Sequence, residues 1–144
     1  MPRAGDLPLE QIIRIAAFRS DLRAFQQHTD RISRKWGLTP QRYLLLLAIK
    51  GAPDGQQRLS FTDLAETLRL SRNTVTELCS RAEAAGLIER EPAEHDLRVV
   101  YLRLSKLGER QLNRVLRENE EFRHDVLESF ADLTASFRNA TRPG

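Results

Sequence analysis

Several features are scarce in this chain of 144 residues. It has one cysteine, Cys79, so no internal disulfide can form, which suits a reducing compartment. No stretch approaches the ~18 uninterrupted apolar residues of a membrane-spanning helix. The longest apolar run, residues 43–49, is long enough only for a buried helix segment. The opening MPRAGDLPLEQ lacks the apolar centre of a secretory signal. A glycine-rich phosphate loop, an internal repeat and a low-complexity block are all missing. His28, His95 and His124 are far apart, and with a single cysteine they supply no spaced set of metal ligands. These absences argue against a disulfide scaffold, a membrane protein and a metal or nucleotide enzyme. The expectation is a cytoplasmic, non-enzymatic protein with no cofactor, no metal and no membrane partner.

What is present can build a core. Apolar residues make up 40% and charged residues 30%, which fits one domain or one compact core with helical extensions. The net charge of +3 permits nucleic acid as a partner without requiring it. Across residues 58–103, seven basic side chains face eight acidic ones. Any DNA contact made there must rest on geometry and individual arginines, with a strong dependence on salt.

Residues 9–35 contain no Gly or Pro, and Ile12, Ile15, Ala16, Leu22, Phe25 and Ile32 recur at steps near three and four. That spacing predicts one long helix, ended by Gly37. In GLTPQRYLLLLAIKG, Thr39 is an N-cap and Pro40 the first helical residue of a second helix that stops at Gly51. APDGQQR is a loop. Ser60 and Asp63 have capping-box spacing before a short third helix with Leu64, Ala65 and Leu68 inward. Ser71 caps a fourth helix, RNTVTELCSRAEAAG, with Val75, Leu78, Cys79 and Ala82 on its inner face and Gly86 as its stop. LIERE and RVVYLRL read as two strands of a hairpin around the polar PAEHD. Ser105 caps a final long helix whose stripe runs from Leu107 to Leu133. Apolar stripes this long at both ends of a small chain need a covering partner, and an identical subunit is the simplest.

The middle is a helix-turn-helix followed by a wing. Ala65 is small where two helices cross, Leu70 fills the turn, and Val75 and Leu78 lock the second helix down. That helix suits the major groove because its first turn offers free N–H groups and a partial positive charge. Ser71, Arg72, Asn73, Thr74 and Thr76 stand at its start, with Ser80 and Arg81 further along the outer face. Arg and Asn read guanine and adenine in bidentate fashion.

Residues 9–130 resemble the multiple antibiotic resistance regulator (MarR) family of winged-helix transcription factors. The matching stretches are GLTPQRYLLL, DLAETLRLSRNTVTELCSRAEAAGLIER and DLRVVYLRLSKLG. The most discriminating is Asp96-x-Arg98 followed by Leu102, Leu104, Ser105 and Gly108. The resemblance implies a mainly α fold with a small β-hairpin wing, a winged helix-turn-helix whose N- and C-terminal helices form a dimerisation lobe. It divides the chain into residues 1–36 and 105–138 for dimerisation, 37–104 for DNA, and a disordered tail at 139–144. It makes Arg98 the arginine of the minor groove, puts His95 beside it at the wing tip, and has Asp96 brace the wing through Arg81. Arg69 stands where the family commonly has glycine, and its backbone need not be left-handed.

Some residues keep two readings. Glu94, His95 and Asp96 carry metal-ligand chemistry, but consecutive residues of extended chain point opposite ways. Cys79 is either a redox sensor or a small buried apolar side chain. Glu77 either accepts from a cytosine amine or faces solvent. Trp36 and Tyr43 are either core or, with His28, Arg31 and Arg34, part of a pocket for a small aromatic or phenolic effector. The function expected is a homodimeric regulator, a repressor, of a pseudo-palindromic site on double-stranded DNA. A winged helix turned to protein–protein contact is the alternative.

Overall fold

The computed structural model describes residues 3–140. Its helices and strands divide between two compact units, Ile32–Arg117 and a second made from the chain before and after it.

The Ile32–Arg117 unit begins inside helix α1 (Leu9–Lys35). Helix α2 (Pro40–Lys50) starts where Thr39 accepts a hydrogen bond from the Arg42 N–H with Pro40 at the first position, so two chain groups that lack helical partners are provided for. Strand β1 (Arg58–Ser60) leads straight into helix α3 (Phe61–Leu68), capped by the Ser60 hydroxyl on the Asp63 N–H. Helix α4 (Arg72–Ala84), strands β2 (Ile88–Pro92) and β3 (Val100–Leu104) and helix α5 (Lys106–Glu118) complete it. The core gathers Leu45, Leu46 and Ile49 of α2, Leu64 of α3, Val75 and Ala82 of α4, Leu102 of β3 and Leu112 and Val115 of α5. All are apolar side chains removed from water, the dominant favourable contribution to folding.

Here the structure departs from the hairpin expected. The sheet has three antiparallel strands in the order β1-β3-β2. β1 is three residues long, too short for an alternating pattern to show, and only its register, Leu59 opposite Leu102, makes it a strand. The compact unit also takes in α5, whose Gly108, Leu112 and Val115 are buried in it, although the sequence reading grouped that helix with the terminal lobe. Leu70, expected to fill the turn, keeps 38% of its surface exposed there.

The described part of the other unit holds residues 3–31, most of α1, and helix α6 (Glu120–Ala140). The single final helix is in fact two, broken at Asn119. Asn119 is fully buried and its amide donates to the Thr29 hydroxyl at 2.6 Å. Asparagine commonly trades a helical backbone for side-chain bonding, and the apolar stripe passing through the break hides it. Phe18 and Phe130 pack with ring centroids 5.7 Å apart, and the His28 ring stacks on Phe122 at 3.4 Å. Asn139 and Ala140, expected in the disordered tail, end α6 as helix; the rest of that tail, residues 141–144, lies outside the described residues.

Candidate nucleic-acid interface

The turn between α3 and α4 is built on Arg69. Its backbone is left-handed, with φ 54° and ψ 45°, and its N–H closes α3 on the Glu66 carbonyl. The sequence reading left this conformation optional. The structure requires it, because the Leu70 N–H must turn back to the Ala65 carbonyl at 3.0 Å.

Ser71 then starts α4. Its hydroxyl accepts from the Thr74 N–H at 3.2 Å and shares a hydrogen with the Thr74 hydroxyl at 2.8 Å. The Thr76 hydroxyl donates back to the Arg72 carbonyl at 2.8 Å. All three residues stand on the exposed side of the helix start, but their hydroxyls are engaged in shaping it. Arg72 and Asn73 are exposed and no described residue engages their side chains, so their donors and acceptors are open to a ligand. Ser80 is exposed one turn further on. This face points outward because Val75, Leu78, Cys79 and Ala82 are buried behind it.

Arg81 is not bound to Asp96. Its guanidinium pairs with Glu77, one helical turn earlier on the same face. Glu77 is exposed, as one of its two readings expected, and it faces solvent paired with Arg81. The tie between α4 and the wing is instead Glu83 to Arg90 of β2, at 2.8 Å. Neither residue stood out in the sequence, since their spacing of seven across a turn belongs to no single element.

Asp96 braces the wing locally. Its carboxylate accepts from the Arg98 N–H at 2.9 Å, and its carbonyl accepts from the Val99 N–H at 3.0 Å. The Ala93 N–H closes the loop on the Val99 carbonyl at 3.0 Å. Arg98 is exposed at the end of this locked turn, and His95 is exposed on its flank. Glu94, His95 and Asp96 line a cleft of about 310 Å³ with Arg58 and Tyr101. The Arg58 guanidinium lies 4.1 Å from the Tyr101 ring centre and 3.5 Å from Glu91, and Arg103 meets the same carboxylate at 3.2 Å. Sequence reasoning missed this pair of arginines because only the β1–β3 register sets Arg58 opposite Arg103.

Of the residues proposed for an effector, Tyr43 is buried core in the Ile32–Arg117 unit. Trp36, in the same unit, is half-buried, with Lys35 and Arg114 at 5.3 and 4.9 Å from its ring centre. His28, against Phe122, and the exposed Arg31 belong to the other unit. Cys79 is buried, and burial pushes its thiol up to about 11, against the opposing pull of Arg90 and with help from Glu83. A thiol so placed is almost wholly protonated at neutral pH and is poorly nucleophilic.

Comparison with known proteins agrees with this geometry. Residues 36–98 match the MarR family. The transcriptional regulator PecS of Dickeya dadantii is 27% identical over 129 residues, covering 88% of this chain and 76% of its own. AbsC, a MarR family transcriptional regulator from Streptomyces coelicolor, superposes with a TM-score of 0.69 at 20% identity, over 96% of this chain and 94% of its own. A MarR mutant from E. coli complexed with operator DNA superposes with a TM-score of 0.66 at 16% identity, over 96% of this chain and all of its own. Residues 36–98, which hold the helix-turn-helix and most of the wing, match the MarR family, and the fold of the chain is that of the winged-helix structures of that family.

Proposed function

We propose that the protein is a homodimeric repressor that binds a pseudo-palindromic operator in double-stranded DNA. One observation carries the reading: a serine-capped helix presents Arg72 and Asn73, exposed and unengaged, at an N-terminal turn that favours phosphate and base edges. Arg98 on its braced turn supplies the second contact, in a flanking minor groove whose narrow A·T stretches concentrate negative potential. Half-sites then lie about one helical turn apart. That the E. coli neighbour of like fold is complexed with operator DNA supports DNA as the ligand.

Dimerisation is supported by the terminal unit. α6 buries none of its residues, and Leu9, Ile12, Ile13, Leu127 and Phe130 are exposed there. Covering such a surface is worth roughly 25 cal/mol per Å² of apolar area. The cationic flanks of Trp36 favour an aromatic carboxylate or phenolate as the releasing effector. Trp36 is the sole tryptophan, so its fluorescence reports such binding directly.

The test is binding of the purified protein to DNA upstream of its own gene and its neighbours, in a salt series, with Arg98→Ala and Arg72→Ala alongside. Saturable binding to one site, weakened by salt and by both substitutions, is the expected result. Binding no better than to random DNA would refute the reading. A protein–protein role is the second reading, favoured by the Glu77–Arg81 pairing, which neutralises part of the outer face of α4. It gains if a protein partner is retained by both variants.

A further inference from the structure

Leu97 is the largest apolar side chain of the wing loop and is 93% exposed. Its position is imposed. Asp96 accepts from the Arg98 N–H and the Val99 N–H closes on the Asp96 carbonyl, so the turn is locked on both sides of Leu97. Nothing folds this side chain back onto Tyr101 or Val99. The acidic residues of the same loop go the other way: Glu94 and Asp96 line the cleft that also holds Arg58. What remains at the leading edge is an adjacent pair, Leu97 and Arg98. An isolated exposed leucine is ordinary on a protein surface. A leucine fixed at the tip of a DNA-reading wing, next to its arginine, has a specific surface to meet.

Resting on the regulator reading above, we infer that Leu97 reads the floor of the flanking minor groove and enforces A·T base pairs there. The physical basis is the groove itself. A·T and T·A pairs show only acceptors and the flat C2–H edge of adenine, while guanine adds an N2 amino group that stands up from the floor. A leucine packs against the first and is blocked by the second. The blocked amino group also loses hydrogen-bonded water without gaining a partner. Arg98 senses groove potential and width, so it responds to the same base pairs by a different route. The two contributions can be separated chemically. 2,6-Diaminopurine paired with thymine adds the N2 amino group to an otherwise normal A·T pair, and inosine paired with cytosine removes it from a G·C pair.

The experiment uses the full chain and operator duplexes whose flanking pairs are A·T, G·C, 2,6-diaminopurine·T or inosine·C. Wild type should bind the two duplexes carrying the amino group roughly tenfold more weakly than the two lacking it, the loss of one leucine's apolar contact. Leu97→Ala should reduce that ratio to below about twofold, and Leu97→Met should keep most of it. Arg98→Ala should weaken binding to all four duplexes and lower the ratio by less than Leu97→Ala does. Because Leu97 is exposed, these variants fold as wild type does. An amino-group penalty that is equal in wild type and Leu97→Ala, or missing from wild type, overturns the inference and leaves the regulator reading standing. Wild type that binds no operator above random DNA overturns the regulator reading, and the inference with it.

Discussion

Replacing glycine by alanine inside a helix ordinarily stabilises by about 1 kcal/mol. At Gly108 of α5 the sign should reverse. A Cβ built there falls 2.1 Å from the Leu87 carbonyl oxygen and 3.1 Å from its carbon, with the Leu104 side chain at 3.5 Å. That oxygen cannot simply retreat. It accepts the Ser105 N–H at 3.0 Å, while the Ser105 hydroxyl donates to the Gly86 carbonyl and accepts from the Gly108 N–H at 3.0 Å. Overpacking of this kind costs about 1–3 kcal/mol, and each hydrogen bond lost adds about 1. After the helical gain, Gly108→Ala should destabilise by roughly 2–4 kcal/mol. A chain of 144 residues loses about 3 °C of melting temperature per kcal/mol, so the expected drop is roughly 6–12 °C. The assay is thermal unfolding by circular dichroism at one fixed protein concentration, since the dimerisation proposed above would make the midpoint concentration-dependent. A midpoint equal to or above wild type would refute the reasoning. Rescue by Leu104→Ala would refute it in another way, by making the side chain the obstacle. Leu87→Ala should not rescue, because the clash is with backbone.

Arg69→Gly should stabilise the protein by up to about 1 kcal/mol, since glycine adopts the left-handed turn without a Cβ penalty; chemical denaturation reads this, and a loss of stability would contradict it. Glu77→Gln should release Arg81 and remove a negative charge from the outer face of α4, raising operator affinity and steepening its salt dependence by roughly one counterion per subunit; an unchanged slope would count against the interface. Thr29→Val should cost about 1–3 kcal/mol, because it strands the buried Asn119 amide; a neutral result in denaturant titrations would show that the bond contributes little. Cys79 should react with iodoacetamide at neutral pH far more slowly than a free thiol. Its folded pKa is raised from 9.0 to about 11, so its contribution to stability is complete below pH 9 and is lost as pH rises toward 11. The difference in denaturation midpoint between wild type and Cys79→Ala should shrink across that window, and a difference independent of pH would contradict the assignment.

Much of the fold was legible because helix limits are written locally. Thr39, Ser60 and Ser71 each have a hydroxyl that can reach an N–H two or three residues on, and each begins the helix it was expected to begin. The inward residues of α4 were equally plain, since a period near 3.6 leaves Val75, Leu78, Cys79 and Ala82 on one side. Arg72, Asn73 and Arg98 could be picked out for the same reason: their exposure follows from the periodicity of α4 and the polarity of the wing loop.

Tertiary structure decided what depends on partners distant in sequence. β1 is a strand only because β3 lies beside it, and that pairing sets Arg58 and Arg103 on one carboxylate, Glu91. Arg81, expected to pair with Asp96, pairs instead with Glu77 one turn away on its own helix, and the Asp96 carboxylate is held by its own turn. Asn119 breaks a helix that its apolar stripe would continue, because Thr29, ninety residues earlier, takes its amide. Short-range hydrogen bonds and helical period are properties of a few consecutive residues, so the sequence by itself determined the caps, the recognition helix and the wing. Strand partners, ion-pair choice and buried polar bonds are settled by competition among groups that only the folded chain brings together.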